Sequence, residues 1–440
     1  MSDALPLPPR PNIEQYKKLA KECQRAWKSQ DPDAFRDWAR SWVETLARLQ
    51  GRTHMPECER SIRDAIALLE RQWRRMSKSK EATPLALADA QFFLAQCHGF
   101  ASWPKFIRHL EALERVNSPE SKFELAADAI VNGDLATLER LLRETRGLVR
   151  ARSARDHRST LLHYVSANGV EDFRQRTPKN IVEIAKLLVD AGADVNALSD
   201  AYGGRSTTLG LTATSWHPEK AGVQLSLMEL LIDRGATIDG PHGGSAVNAC
   251  LHNGRGDAAR FLAGRGARLD LEGAAGVGRL DIVKSFFRDD GSLKSAATPE
   301  QMKDAFAWAC EFGRTDVVDF LLQKGMDAGT SLRHNGQTGL HWAAFGGHAA
   351  TVKLLLERGA PVNAKDDSFG GTALEWALYA WGKKAEEEAG HYEVVATLVR
   401  AGATLDAEWF TNDEERHRAA RKMQSNPRMV AALQGQLPAG

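Results

Sequence analysis

The sequence predicts an all-α protein, a helical solenoid of paired short helices with turns or β-fingers between them, preceded by a small N-terminal helical bundle. Three observations carry this. Trp308, Trp342 and Trp376 are spaced 34 residues apart. Around them one pattern is rewritten, as in DAFAWACEFGRTDVVDFLLQKG and TGLHWAAFGGHAATVKLLLERG. The ending Gly-Ala-x-aliphatic-Asn/Asp recurs at Gly192, Gly235, Gly266, Gly359 and Gly402. A period in this range marks stacked supersecondary units, each of which buries its apolar face only against its neighbours.

Taken in chain order, residues 1–11 are Pro-rich and read as a disordered tail. Residues 12–116 read as a helical bundle. Asp31-Pro32 and Thr83-Pro84 place a cap and a proline at helix entries, while Gly51 and Gly99 close helices. Trp27, Trp38, Trp42, Trp73 and Trp103 are expected in its core or between its helices. Residues 117–410 read as about eight repeat units, opening at Gly133-Asp-Leu-Ala-Thr-Leu-Glu-Arg-Leu-Leu142. Residues 411–440 read as a C-terminal capping helix over the last apolar face.

One unit shows the physics. Thr338 suits a helix N-cap. Leu340, Ala343 and Ala344 give a narrow face that lets helices approach closely, and Gly346-Gly347 breaks the helix. Val352, Leu354, Leu355 and Leu356 supply a second amphipathic helix, and Gly359 ends it. With its Thr-Gly-Leu-His tetrad and Gly-Ala ending, this unit resembles the ankyrin repeat. The resemblance implies a concave binding groove, faced by the residue after the tetrad, and a histidine at 341 that hydrogen-bonds between neighbours. LADAQFFLAQCHGFASWPKFIRHLEAL resembles a segment at the front of bacterial ankyrin-repeat proteins of unassigned function.

Repeat lengths vary informatively. From capping residue to closing glycine a regular unit takes 21 positions, as in Ser245 to Gly266, Asp304 to Gly325 and Thr338 to Gly359. Thr160 to Gly192 takes 32, Thr207 to Gly235 takes 28 and Thr372 to Gly402 takes 30. The extra stretches, GVEDFRQRTPKNI, WHPEKAGVQ and WGKKAEEEAGH, lie between the paired helices. They read either as a functional face or as loops that tolerate length cheaply. The spacing of 25 between Gly266 and Gly291 implies a missing finger near Leu271–Gly273.

The groove-facing position holds Tyr164, Leu211, Ala249, Trp308, Trp342 and Trp376, with Glu311, Phe345 and Tyr379 three residues on. Such an aromatic stripe reads as a binding surface, or as packing between repeats. The candidate binding residues are therefore Trp308, Glu311, Trp342, Phe345, Trp376, Tyr379 and Trp381, with Tyr164, Trp216 and His217 as secondary candidates.

Function follows from this site. The leading expectation is a non-enzymatic cytoplasmic scaffold, a monomer, that binds a protein partner through the groove. The alternative is a small-molecule receptor in which Trp381, Trp216, His217 and the inserted loops roof the stripe into a pocket. A remote third is a DNA-binding regulator using the N-terminal helices, where 20 Lys/Arg face 15 Asp/Glu over residues 1–116. The whole chain has a net charge of only +1, giving little pull towards nucleic acid. No run of 18 apolar residues exists to cross a membrane. Five scattered cysteines without a C-x-x-C read as buried thiols. No phosphate-binding, nucleophile-elbow or metal-ligand spacing appears, so no catalytic residue, cofactor or metal is expected.

Overall fold

The computed structural model describes residues 4–8, 11–29, 31–49, 56–78, 86–115, 117–240, 244–332, 336–383, 389–411 and 414–437. Thr83-Pro84, Gly51 and residues 384–388 of the inserted stretch after Trp381 lie outside them. The chain forms two compact units, residues 1–242 and 243–440.

The first unit opens with five helices: α1 (Ile13–Lys28), α2 (Pro32–Leu49), α3 (Pro56–Lys78), α4 (Leu87–Cys97) and α5 (Trp103–Glu114). Asn12 caps α1 and Ser102 caps α5 through their side-chain oxygens. The core is aromatic. Phe35 stacks on Trp73 at 4.6 Å, and Tyr16 stands edge-on to Phe106 at 5.0 Å. Trp27, Trp38 and Trp42 are buried there, with Trp73 and Trp103 packed against it. The expected disordered tail is replaced, at Leu5, by a tether. Leu5 is buried, its N–H donates to the Cys97 carbonyl at 2.6 Å, and its own carbonyl lies 2.9 Å from His98 Nδ1. The apolar Leu5 side chain supplies the burial that composition alone did not credit to a Pro-rich segment.

Helix pairs follow: α6 (Pro119–Asn132) with α7 (Leu135–Glu144), a 3-10 helix (Leu161–Ser166) with α8 (Ile181–Asp190), and α9 (Thr208–Thr214) and α10 (Trp216–Lys220) with α11 (Gln224–Asp233). The Leu161–Ser166 segment is tightened because Ser166 Oγ donates to the His163 carbonyl at 2.6 Å, and the chain then turns at Ala167 with φ +48°. One finger is a two-stranded antiparallel ribbon, β1 (Leu198–Ser199) on β2 (Ser206–Thr207).

The second unit contains α12 (Ala246–His252) with α13 (Gly256–Gly264), α14 (Leu271–Val277) with α15 (Leu280–Ser285), α16 (Pro299–Glu311) with α17 (Thr315–Gln323), α18 (Gly339–Gly346) with α19 (Ala349–Glu357), and α20 (Ala373–Lys383) with α21 (Ala389–Arg400). Leu271–Gly273 form the first turn of α14, capped by Asp270, so no finger separates α13 from α14. Asp304 is not a cap. α16 starts five residues earlier, where Thr298 and Gln301 make a capping box before Pro299. The expected single capping helix is two, α22 (Glu414–Ser425) and α23 (Pro427–Leu433). Asn426 caps the second, and Pro427 cannot continue the first.

Side chains explain the recurring sequence. Thr338 N–H donates to His341 Nδ1 at 3.0 Å, leaving the His341 Nε2–H to reach the Gly371 carbonyl of the next repeat at 3.2 Å. His348 Nε2 reaches back to the Glu311 carbonyl at 2.8 Å, and His391 Nε2 to Phe345 at 3.1 Å. These bonds satisfy carbonyls that a helix C-terminus leaves unpaired. Asn363, the last residue of Gly-Ala-Pro-Val-Asn, grips the next repeat through the Gly402 carbonyl (3.0 Å) and the Thr404 N–H (2.9 Å). Small residues set the helix spacing. A Cβ on Gly339 would lie 2.9 Å from both Cys310 Sγ and the Phe306 ring.

Candidate functional site

The second unit splits the predicted stripe. Trp308 is 1% exposed, edge-on to His252 at 4.8 Å and stacked on Phe312 at 6.1 Å. Trp381 is fully buried against Tyr392 at 6.0 Å, with Lys422 Nζ 4.4 Å from its ring centre. Neither is available to a partner. Trp381 follows Trp376 by five residues, which turns it roughly 140° around the helix onto the packed side. It therefore cannot roof a pocket over the stripe. Glu311 is half-buried beside α19.

The remaining rings do come together. Trp376 is buried, with Trp342 edge-on at 5.4 Å and Phe345 at 5.8 Å. Trp342 and Phe345 are half-buried and 6.5 Å apart. Half-buried Tyr379 stands edge-on to Trp409 at 6.2 Å, and its hydroxyl donates to Glu415 Oε2 at 2.8 Å. Lys383 lies 4.4 Å over the Tyr379 ring and 2.7 Å from Glu415.

Sequence reasoning missed Phe369, Asp366, Trp409 and Arg416. Phe369 is 54% exposed and joins the cluster 6.2 Å from Trp376. Buried Asp366 organises its loop: Oδ1 accepts the N–H groups of Ser368 (2.9 Å) and Phe369 (2.7 Å), and Oδ2 accepts Gly371 N–H (2.9 Å) and Trp376 Nε1–H (3.0 Å). Trp409 Nε1–H closes the loop on the Phe369 carbonyl at 2.8 Å. Arg416 lies 4.1 Å over Trp409 and 5.7 Å from Phe369. The signal was the Asp-Asp-Ser-Phe-Gly-Gly run, a turn that an aspartate can hold through its own backbone. Aromatic faces flanked by Lys383, Glu415 and Arg416 can bind a partner surface.

In the first unit, Trp216 is 48% exposed, with Lys220 over its ring at 4.8 Å and half-buried His217 at 5.0 Å. Tyr164 is fully buried, not groove-facing, and donates to Glu171 Oε1 at 3.1 Å. That contact belongs to a network no spacing revealed. Arg155 Nη1 lies 2.8 Å from Glu171 Oε1 and 2.7 Å from Glu124 Oε1. Arg174 Nη1 lies 2.7 Å from Glu124 Oε2, and its Nε 2.8 Å from Asp128 Oδ1. Glu171 and Arg174 come from the first inserted stretch, which is thus anchored in the interior. Burial alone would raise both glutamates, but Arg155 and Arg174 outweigh it. They hold Glu171 well below the ordinary carboxylate range and Glu124 down at about 2.

Comparison with known proteins agrees with this architecture. Residues 271–366 and 306–413 match a family model described as ankyrin repeats (3 copies). The matched span, residues 271–413, covers about a third of the chain and is similar to ankyrin repeats. No curated protein matches the chain.

Proposed function

We infer that the second unit is a non-enzymatic, cytoplasmic protein-binding scaffold, acting as a monomer, whose contact surface is Phe369, Trp342, Phe345 and Tyr379. The observation that carries this reading is Phe369. It is a large, exposed ring on a loop whose backbone is fixed by three hydrogen bonds to one buried aspartate, which also accepts the Trp376 indole N–H. A ring presented in this way loses little freedom on binding, and aromatic anchors concentrate binding energy. The similarity to ankyrin repeats supports it, because these are generally interaction modules. The flanking Lys383, Glu415 and Arg416 favour a partner surface of mixed charge around an apolar centre.

The test is affinity capture with the full chain. Phe369→Ala and Tyr379→Ala should each release the captured protein, while Trp216→Ala, in the other unit, should retain it. Retention by both groove variants would refute the assignment.

A further inference from the structure

The first unit holds a cavity of about 580 Å³ lined by Gly99, Arg155, Asp156, His157, Glu171, Asp200 and Tyr202, among others. Its volume falls within the ~300–1,000 Å³ typical of small-molecule sites. We propose that this cavity binds a small organic cation, an ammonium or guanidinium, with Glu171 as its buried counter-charge.

Three observations converge on it. The first is an unused acceptor. Glu171 is fully buried, and its Oε1 is occupied by Arg155 and Tyr164, yet no protein donor among the described residues reaches its Oε2. A buried, ionised oxygen left without a donor is costly, and a cationic N–H entering the cavity removes that cost.

The second is charge. The cavity wall carries Asp156, Glu171 and Asp200 against Arg75 and Arg155. The network behind it adds Glu124 and Asp128 against Arg174. Five carboxylates thus face three guanidinium groups, and both buried guanidinium groups are already paired. Among the described residues no group of three or more His, Cys, Asp or Glu is placed to hold a metal ion. Exposed Tyr202 adds a ring face at the mouth, suited to a cation.

The third is backbone strain. Tyr202 has φ +54° and Arg158, Ala167 and Arg205 also lie in the left-handed region. Among the described residues, four of the five non-glycine residues in that region fall between positions 158 and 205, the stretch that supplies His157, Glu171, Asp200 and Tyr202 or adjoins them. Strain of this kind persists where surrounding structure enforces it, and it concentrates at ligand sites. Gly169, on the cavity wall, has no room for a side chain, since a Cβ would lie 2.9 Å from Ala201 Cβ.

The full chain titrated by calorimetry at low ionic strength tests this, with butylguanidinium and 1,4-diaminobutane as probes and butyrate and 1-butanol as controls. The proposal expects saturable binding of at least one cation and none of the controls. Tyr202→Gly, which accepts the left-handed turn, and Asp200→Asn, at an exposed position, should each weaken binding by tenfold or more. Glu171→Gln should abolish it; should that variant unfold, the other two still decide. Phe369→Ala should leave cation binding unchanged, which separates this site from the groove. Absence of cation binding, equal binding of butyrate, or binding indifferent to Tyr202→Gly and Asp200→Asn would overturn the proposal.

Discussion

Asp366 Oδ2 accepts the indole N–H of Trp376 at 3.0 Å, and through it the loop carrying Phe369 is locked to the floor of the aromatic cluster. One buried carboxylate thus sets both the turn and the ring beneath it. Asp366→Ala removes four acceptor contacts and strands a buried indole donor. It should destabilise the second unit by about 2–4 kcal/mol, since unsatisfied buried groups cost ~1–3 kcal/mol each and charged networks more. Hydrogen exchange at the Ser368, Phe369 and Gly371 amides should accelerate in parallel. Unchanged protection would show the loop is held by other means.

Trp308 and Phe369 should respond oppositely to truncation. Trp308→Ala empties a buried site, at an expected ~3–5 kcal/mol. Phe369→Ala removes an exposed ring and should stay within about 0.5 kcal/mol, while losing partner capture. Urea unfolding of both variants checks this.

That contrast also shows what the sequence could tell. The tryptophan interval placed Trp308, Trp342 and Trp376 correctly as equivalent positions on successive first helices. Spacing carries no information on cover, however. Trp308 is capped by His252 and Phe312, whereas Trp342 is left half-open. The Gly-Ala-x-aliphatic-Asn ending was legible because it repeats, and its Asn bonds explain why. The Arg155–Glu171–Arg174–Glu124 network was not, because its members lie on three separate segments and appear once. Long-range charge pairs leave no local pattern.

The first inserted stretch is expected to be structural as well as long. Arg174→Leu takes one of its two guanidinium partners from buried Glu124, which keeps Arg155, and should cost about 3–5 kcal/mol, the usual penalty for breaking a buried ion pair. A neutral surface loop would give a change near zero in the same unfolding measurement.

Acid should loosen the first unit early. Burial holds His98 at about 3, and His109 and His163 at about 4, below the ordinary 6.5. The unfolded chain therefore takes up protons that the native chain refuses as pH falls from 6.5 towards 4. Each site then removes on the order of 1 kcal/mol per pH unit. Glu124, depressed from 4.5 to about 2, adds a further loss as pH falls through that interval. Its stabilisation is complete above 4.5. Urea midpoints should fall steadily below pH 6.5. A flat profile from pH 7 to 5 would contradict the buried, neutral state of these rings.

The central claim is that Phe369 and its neighbours form the contact surface. Quantitative capture of the partner by the full chain, comparing Phe369→Ala with Trp216→Ala at matched thermal stability, addresses it most directly. At least a tenfold loss is expected for Phe369→Ala, with full capture by Trp216→Ala. Equal capture by the two variants would contradict it.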